Sequence, residues 1–159
     1  MNRKTFLRGI AAGLLLPQLA GCSLPKFLSF KGTRLNWKSV TLSAADGANQ
    51  NSPVLVDVVL VLEDSMMDRL VELPAAKWFA VNADLLKTFP LSMSYRTWEL
   101  VPGQTMVVPG DAFGSPRVVG VLVYADYTLP GNHRLRVETL KGDLTLRFDT
   151  QTFTASAVE

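Results

Sequence analysis

Apolar and polar positions alternate with a period of two along most of the chain beyond residue 35, which predicts a mainly β protein. Leu35 to Leu42 forms a first strand whose alternation slips at Lys38-Ser39, where a bulge would restore the phase. Val54 to Leu62 is apolar throughout except for Asp57, the pattern of a central strand covered on both faces. Between them the small, polar, turn-prone run Ala44, Ala45, Asp46, Gly47, Ala48, Asn49, Gln50, Asn51 and Ser52 closes on Pro53 and predicts a loop. Leu91, Met93 and Tyr95 start a strand that continues to Leu100, Val101-Pro-Gly-Gln104 makes a turn, and Thr105 to Val108 forms a short strand before a loop at Pro109. Val118 to Tyr124 predicts a second central strand. Leu135, Val137 and Thr139 mark the inward face of a half-exposed one, and Lys141-Gly-Asp143 turns the chain into Leu144, Leu146 and Phe148. Gln151 to Val158 adds an edge strand.

The period changes once. Asp64 or Ser65 caps a helix with Met66, Met67, Leu70 and Val71 on its apolar stripe. After Pro74, Ala75 to Lys87 carries Trp78, Phe79, Leu85 and Leu86 in one or two further turns that Asn82 breaks or caps, and Pro90 ends the excursion. Seven or eight short strands with a small helical insertion at about 64–89, after strand two, predict a two-sheet β-sandwich.

The first 21 residues have a different character. Arg3, Lys4 and Arg8 precede a short apolar run from Ile10 to Ala20 that is well under the ~20 residues of a membrane span. A basic start, a short apolar stretch and small residues describe an export signal. Leu19-Ala20-Gly21-Cys22 resembles the bacterial lipobox, which makes Cys22 the lipidated N-terminus of the mature chain. The expected organisation is a signal peptide over 1–21, a lipidated tether over 22–34 and a β-sandwich domain over 35–159. Cys22 is the only cysteine, so the mature domain has no disulfide to rely on. Ser23 stands where Asp would mark retention at the inner membrane, so the expected address is the outer membrane, periplasmic face. The export route, general or twin-arginine-like from Arg3-Lys4, stays open.

Composition then refines the picture. A chain of 159 residues, 48% hydrophobic and 19% charged, suits one domain with a substantial core and excludes a disordered tail. The formal charge of +2 belongs to the precursor, because removal of residues 1–21 leaves 13 basic and 14 acidic residues, a net of −1. Residues 22–38 carry Lys26, Lys31, Arg34 and Lys38 with no acid, and residues 39–159 have 9 basic against 14 acidic residues. The tether therefore suits anionic headgroups and the domain is acidic.

Candidate chemistry is sparse. The single histidine, His133, sits in a predicted loop where solvent exposure is expected, and one histidine with one cysteine cannot assemble a zinc site. No Gly-x-Ser-x-Gly elbow, phosphate-binding glycine loop or basic stripe with stacking aromatics occurs. Asp64 and Asp68 fall one turn apart on a solvated helix face. The expectation is no enzyme, no catalytic residue, no metal, no cofactor beyond the covalent lipid on Cys22, and no nucleic acid. Asp57 leaves three placements open: at a sheet edge or in solvent, buried with an Arg partner, or directed into a binding surface.

Several features in order resemble the type VI secretion outer-membrane lipoproteins, the TssJ (VasD-type) family. They are the lipobox, the first strand with its polar loop, Ser52-Pro-Val-Leu-Val56, Trp78-Phe79 with Asn82-Ala-Asp-Leu-Leu86, Leu100-Val-Pro-Gly-Gln104, and Val119-Gly-Val-Leu-Val-Tyr-Ala-Asp126. Asp57 departs from the family, where a basic residue often stands in the second strand. The resemblance implies a transthyretin-like β-sandwich and a structural role in the secretion membrane complex. It also implies binding to the periplasmic C-terminal region of the large inner-membrane component, TssM, by copies arranged in a ring. Ala44 to Ser52 maps onto the family's contact loop, and a Gly-Ser replacement of residues 44–52 is expected to leave the domain folded. The alternative is an outer-membrane lipoprotein that binds or inhibits a periplasmic hydrolase, or binds a small ligand.

Overall fold

Residues 32–158 are described by the computed structural model; the leader, Cys22 and the tether through Lys31 lie outside the described residues. The strands are β1 (Thr33–Arg34), β2 (Asn36–Ala44), β3 (Val54–Val61), β4 (Met93–Leu100), β5 (Thr105–Pro109), β6 (Arg117–Val118), β7 (Gly120–Asp126), β8 (Arg134–Val137), β9 (Lys141–Phe148) and β10 (Phe153–Val158). Helices α1 (Asp64–Leu70) and α2 (Ala75–Thr88) lie between β3 and β4. One sheet has the order β10-β9-β2-β5, the other β4-β3-β7-β8, and β1 pairs with β6. Every pairing is antiparallel except β2 with β9.

The uninterrupted apolar run of β3 follows from its position. Val54, Val56, Val58 and Leu60 point into the core between the sheets, against Val40, Leu42, Leu144, Leu146 and Phe148. Val59 and Val61 point the other way, into a second core with Met66, Met67, Leu70 and Trp78 from the helices and Leu122 and Tyr124 from β7. The helices thus cover the outer face of the second sheet. Trp78 stacks on Tyr124 with ring centroids 4.8 Å apart and meets Tyr95 edge-on at 5.4 Å.

Most strands fall where the alternation places them, and the register of β2 against β9 shifts between Trp37 and Ser39, the site of the expected bulge. Several local readings are corrected. Helix α2 runs 14 residues straight through Asn82, whose amide turns inward to Asp57. The N-cap of helix α1 is Glu63, not Asp64 or Ser65, and the Glu63 side chain makes no capping hydrogen bond. Lys141-Gly-Asp143 is strand: Gly142, at φ +74°, sits opposite Trp37 beside the bulge. β8 stops at Val137 and leaves Thr139 outside it. The Val118–Tyr124 run divides at Val119, whose N–H donates to the Val61 carbonyl at 2.8 Å while β6 turns away to β1.

Candidate partner-binding surface

β2 and β3 belong to different sheets, so the segment between them is a crossing from one sheet to the other and not a hairpin loop. Ala44 at its start is level with Phe148, and Val54 at its end is level with Leu100 and next to the Leu55–Asp126 pair. The crossing therefore shares one end of the sandwich with the 101–104 turn, the 126–133 loop and the 149–152 turn. The chain enters at the opposite end, through β1. The nine residues of β2 separate the two ends by about 30 Å.

The crossing is rigidly seated. Ala45 N–H donates to Phe148 O at 2.9 Å, Asn49 N–H to Asp149 O at 3.2 Å, and Gly103 N–H to Ala45 O at 3.1 Å, which ties it to two neighbouring loops. Gly103 has φ +78°, a conformation strained for any side chain, and a Cβ there would crowd Asp46 Oδ1 at 3.0 Å. Asn49, Gln50 and Asn51 occupy the left-handed region consecutively, at φ +46°, +54° and +61°. Such a run costs roughly 1–2 kcal/mol per residue and persists only where its surroundings over-determine it.

Asn49 supplies that determination. It is buried, and its Nδ2 donates to Pro53 O at 2.7 Å and Asp126 O at 3.4 Å, while its Oδ1 accepts from Thr128 N–H at 2.7 Å. The 126–133 loop, already held by Asn49, is braced a second time. Tyr127 donates its hydroxyl to Thr152 O at 2.6 Å and stacks on His133 at 4.6 Å, and His133 Nε2 meets Leu129 O at 2.8 Å. Burial, reinforced by Asp149, raises the Tyr127 phenol far above its ordinary value, so it remains a donor. His133 is a half-buried brace, not the solvent-exposed side chain expected from the sequence.

The nine residues singled out from the sequence divide into three groups. Ala44, Ala48 and Asn49 are buried, Ala45, Gly47 and Ser52 are half-buried, and Asp46, Gln50 and Asn51 are exposed. Around those three exposed side chains stand Val101, Asp126, Thr128 and Thr150, also exposed, which sequence reasoning left out because the sheet crossing that gathers them leaves no local pattern. The burial of Ala44, Ala48 and Asn49 argues against a Gly-Ser replacement leaving the domain folded. Replacing 44–52 removes two core alanines and the Asn49 bonds, so it would unfold this end as well as strip its surface. Asn49→Ala alone is expected to lower stability by about 2 kcal/mol, because three hydrogen-bonding partners lose it and Ala is strained at a positive φ. Guanidinium denaturation checks this through the midpoint at unchanged slope.

Asp57 is fully buried on the helix-facing side of β3. It accepts from Trp78 Nε1 at 2.7 Å, Asn82 Nδ2 at 3.0 Å and Thr97 Oγ1 at 2.5 Å, so neutral donors stand in for the Arg considered as a partner. The partial burial of Tyr95 raises the pKa of its phenol, and the charge of Asp57 nearby adds to that as the smaller cause. Among the described residues no group of three His, Cys, Asp or Glu side chains could hold a metal ion, and no helix is long and apolar enough to cross a membrane.

No protein-family model and no curated protein matches the chain. Solved structures do. The T6SS lipoprotein TssJ1 from Pseudomonas aeruginosa is 17% identical over 81% of this chain and 98% of its own, at a TM-score of 0.55. A chain of the Type VI membrane complex is 14% identical over 81% of this chain and 100% of its own, at 0.56. A chain in the structure of the T6SS protein TssM C-terminal domain (869-1107) from EAEC is 15% identical over 76% of this chain and 97% of its own, at 0.52. At these identities the likeness is one of fold, and the chain has the β-sandwich fold of the type VI secretion lipoprotein TssJ1.

Proposed function

We propose that this protein is a structural lipoprotein of a type VI secretion membrane complex. Held to the outer membrane through Cys22, it binds the periplasmic C-terminal region of the large inner-membrane component with the loop end of its sandwich and so links the two membranes. The observation that carries the reading is the polarity of the domain. The tether enters at one end, and a rigid crossing presents Asp46, Gln50 and Asn51 at the other, about 30 Å away. An anchored domain of this build points its prepared surface away from the lipid. The fold shared with TssJ1, and with chains in the membrane-complex and TssM structures, supports the same reading.

The mechanism is anchoring. A preformed loop pays little ordering entropy on binding. Confinement of both partners to the periplasmic layer raises their effective concentration, and several copies around a ring multiply contacts that are individually weak. Gln50→Gly with Asn51→Gly removes two exposed side chains and keeps the left-handed backbone. The pair is expected to leave the unfolding midpoint nearly unchanged and to weaken binding of the partner's periplasmic region about tenfold, some 1.4 kcal/mol. Unchanged affinity in a calorimetric titration would take the crossing out of the interface.

A further inference from the structure

Four strands form the lateral edges of the two sheets, and three of them are guarded. β4 carries Arg96 and Glu99, and Arg96 Nε reaches across to Ala112 O. β8 is four residues long and carries Arg134 and Arg136. β5 is five residues long and closes on Pro109. Short length, charge and proline are the usual means by which an edge avoids pairing with another chain.

β10 has none of them. Thr154, Ala155, Ser156, Ala157 and Val158 include no charge and no proline, and β10 pairs with β9 over six consecutive residues without an irregularity. Thr154, Ser156 and Val158 are exposed, Val158 at 74%, whereas Ala155 packs against the core. Among the described residues β10 has no strand on its outer side.

We propose that β10 is a self-association edge, on which a second copy of this chain adds its own β10 antiparallel. The composition favours a copy as occupant. In the register centred on Ser156, each Thr154 lies opposite Val158 of the other copy, a β-branched pair made twice. The inward positions bring Ala155 opposite Ala157, and no charge faces a like charge anywhere along the edge. Centred on Arg96, the same symmetric pairing would set Arg against Arg on β4, and on β8 it would set arginines against one another. The result is one continuous eight-stranded sheet across the dimer. Six residues of edge bury less than the roughly 1,200 Å² of a stable interface, so the pairing is weak in solution and grows with confinement on a membrane. The dyad directs the two tethers to opposite ends, so one bilayer holds both lipids when the sheets lie along its surface, a resting arrangement distinct from the one in which the loop end faces the inner-membrane partner.

Residues 32–158 contain both cores, so the test uses the lipid-free chain from Ser23, which has no other thiol. Ser156→Cys places two thiols opposite each other across the dyad, at a Cβ separation a disulfide can span. Mild oxidation is expected to cross-link it at least about tenfold faster than Lys77→Cys, an exposed control on α2. Ser156→Lys sets two like charges face to face and is expected to weaken association in sedimentation equilibrium about tenfold at an unchanged unfolding midpoint. Cross-linking at the control rate overturns the proposal, and so does association that Ser156→Lys leaves intact. A Ser156→Lys chain that loses only the periplasmic domain of the inner-membrane component, with no change in self-association, assigns the edge to that partner instead and overturns it equally.

Discussion

Asp57→Ala is expected to lower the unfolding free energy by about 3 kcal/mol, the largest effect on stability of any single exposed or buried polar change proposed for this domain. The substitution removes a buried carboxylate that accepts hydrogen bonds from Trp78, Asn82 and Thr97. Bonds to a charged acceptor contribute roughly 1.5–3 kcal/mol each. The three donors do not suffer equally, however. Asn82 is half-buried and Thr97 exposed, so water replaces the lost acceptor at both, but Trp78 is fully buried between Tyr95 and Tyr124 and its indole N–H is left orphaned. Asp57→Asn keeps the shape and one acceptor oxygen while turning an amide N–H₂ towards a donor, and should cost about 2 kcal/mol. Thr97→Val should cost less than about 1 kcal/mol, since its bond lies at the open edge of the sheet. The order Ala, then Asn, then the Thr97 change is the checkable content. Guanidinium denaturation followed through Trp fluorescence gives all three, and equal costs would mean that the carboxylate does not organise the cluster. A consequence for function follows from the path of α2. Its first residue, Ala75, donates its N–H to Asn132 O at 2.9 Å, so loosening the helix also loosens the 126–133 loop beside the crossing. Asp57→Ala should therefore weaken partner binding although it lies far from the surface.

The layout of this domain was legible in the sequence wherever a single periodicity governed the chain. β3 shows why. Its apolar run is continuous because a sheet lies on one side of it and two helices on the other, and that double coverage is what such a run encodes. The bulge at Trp37–Ser39 was legible for the same reason, as a phase slip in an otherwise regular strand. What depends on partners distant in sequence was not legible. Asn82 has the profile of a helix breaker, yet its amide is consumed by Asp57, 25 residues away, and α2 continues. Asn49 has the composition of a solvent loop, and its partners Asp126 and Thr128 come from a loop almost 80 residues on. Both are asparagines whose role is set by what the fold brings to them. The candidate segment was therefore read as uniformly polar and loop-like, whereas the fold divides it residue by residue between core and surface. The side chains that polarity singled out include the one that holds the end of the sandwich together, and the exposed neighbours from other loops had no signal near it.

Cys22→Ser is expected to move nearly all of the protein from the membrane fraction to the soluble periplasm, the largest change in location that one substitution can produce here. Each buried methylene of an acyl chain contributes about 0.8 kcal/mol, a single chain holds a protein only marginally, and two or more make attachment effectively permanent. With the proposed lipid on Cys22 in the three-chain form of bacterial lipoproteins, the substitution would remove the entire hydrophobic hold at once. What would remain is the tether. Lys26, Lys31, Arg34 and Lys38 contribute roughly 1 kcal/mol each near an anionic surface, and that attraction fades beyond a Debye length of about 8 Å at physiological salt. Against it stands the domain, with 9 basic and 14 acidic residues over 39–159, which the same surface repels. The balance leaves at most a minor, salt-sensitive residue on the membrane. Fractionation at low and high salt distinguishes the terms: protein that stays bound in high salt would refute lipidation at Cys22, and protein held only at low salt would show the tether acting alone. Affinity for the partner's periplasmic region in calorimetry should be unchanged, because the loop end lies about 30 Å from the end of the sandwich at which β2 begins. Assembly in cells should nevertheless fail, since the released domain loses the effective concentration that confinement supplies. A Cys22→Ser chain that assembled normally in cells would mean that the sandwich reaches its partner without the membrane, and that the lipid serves some step other than anchoring.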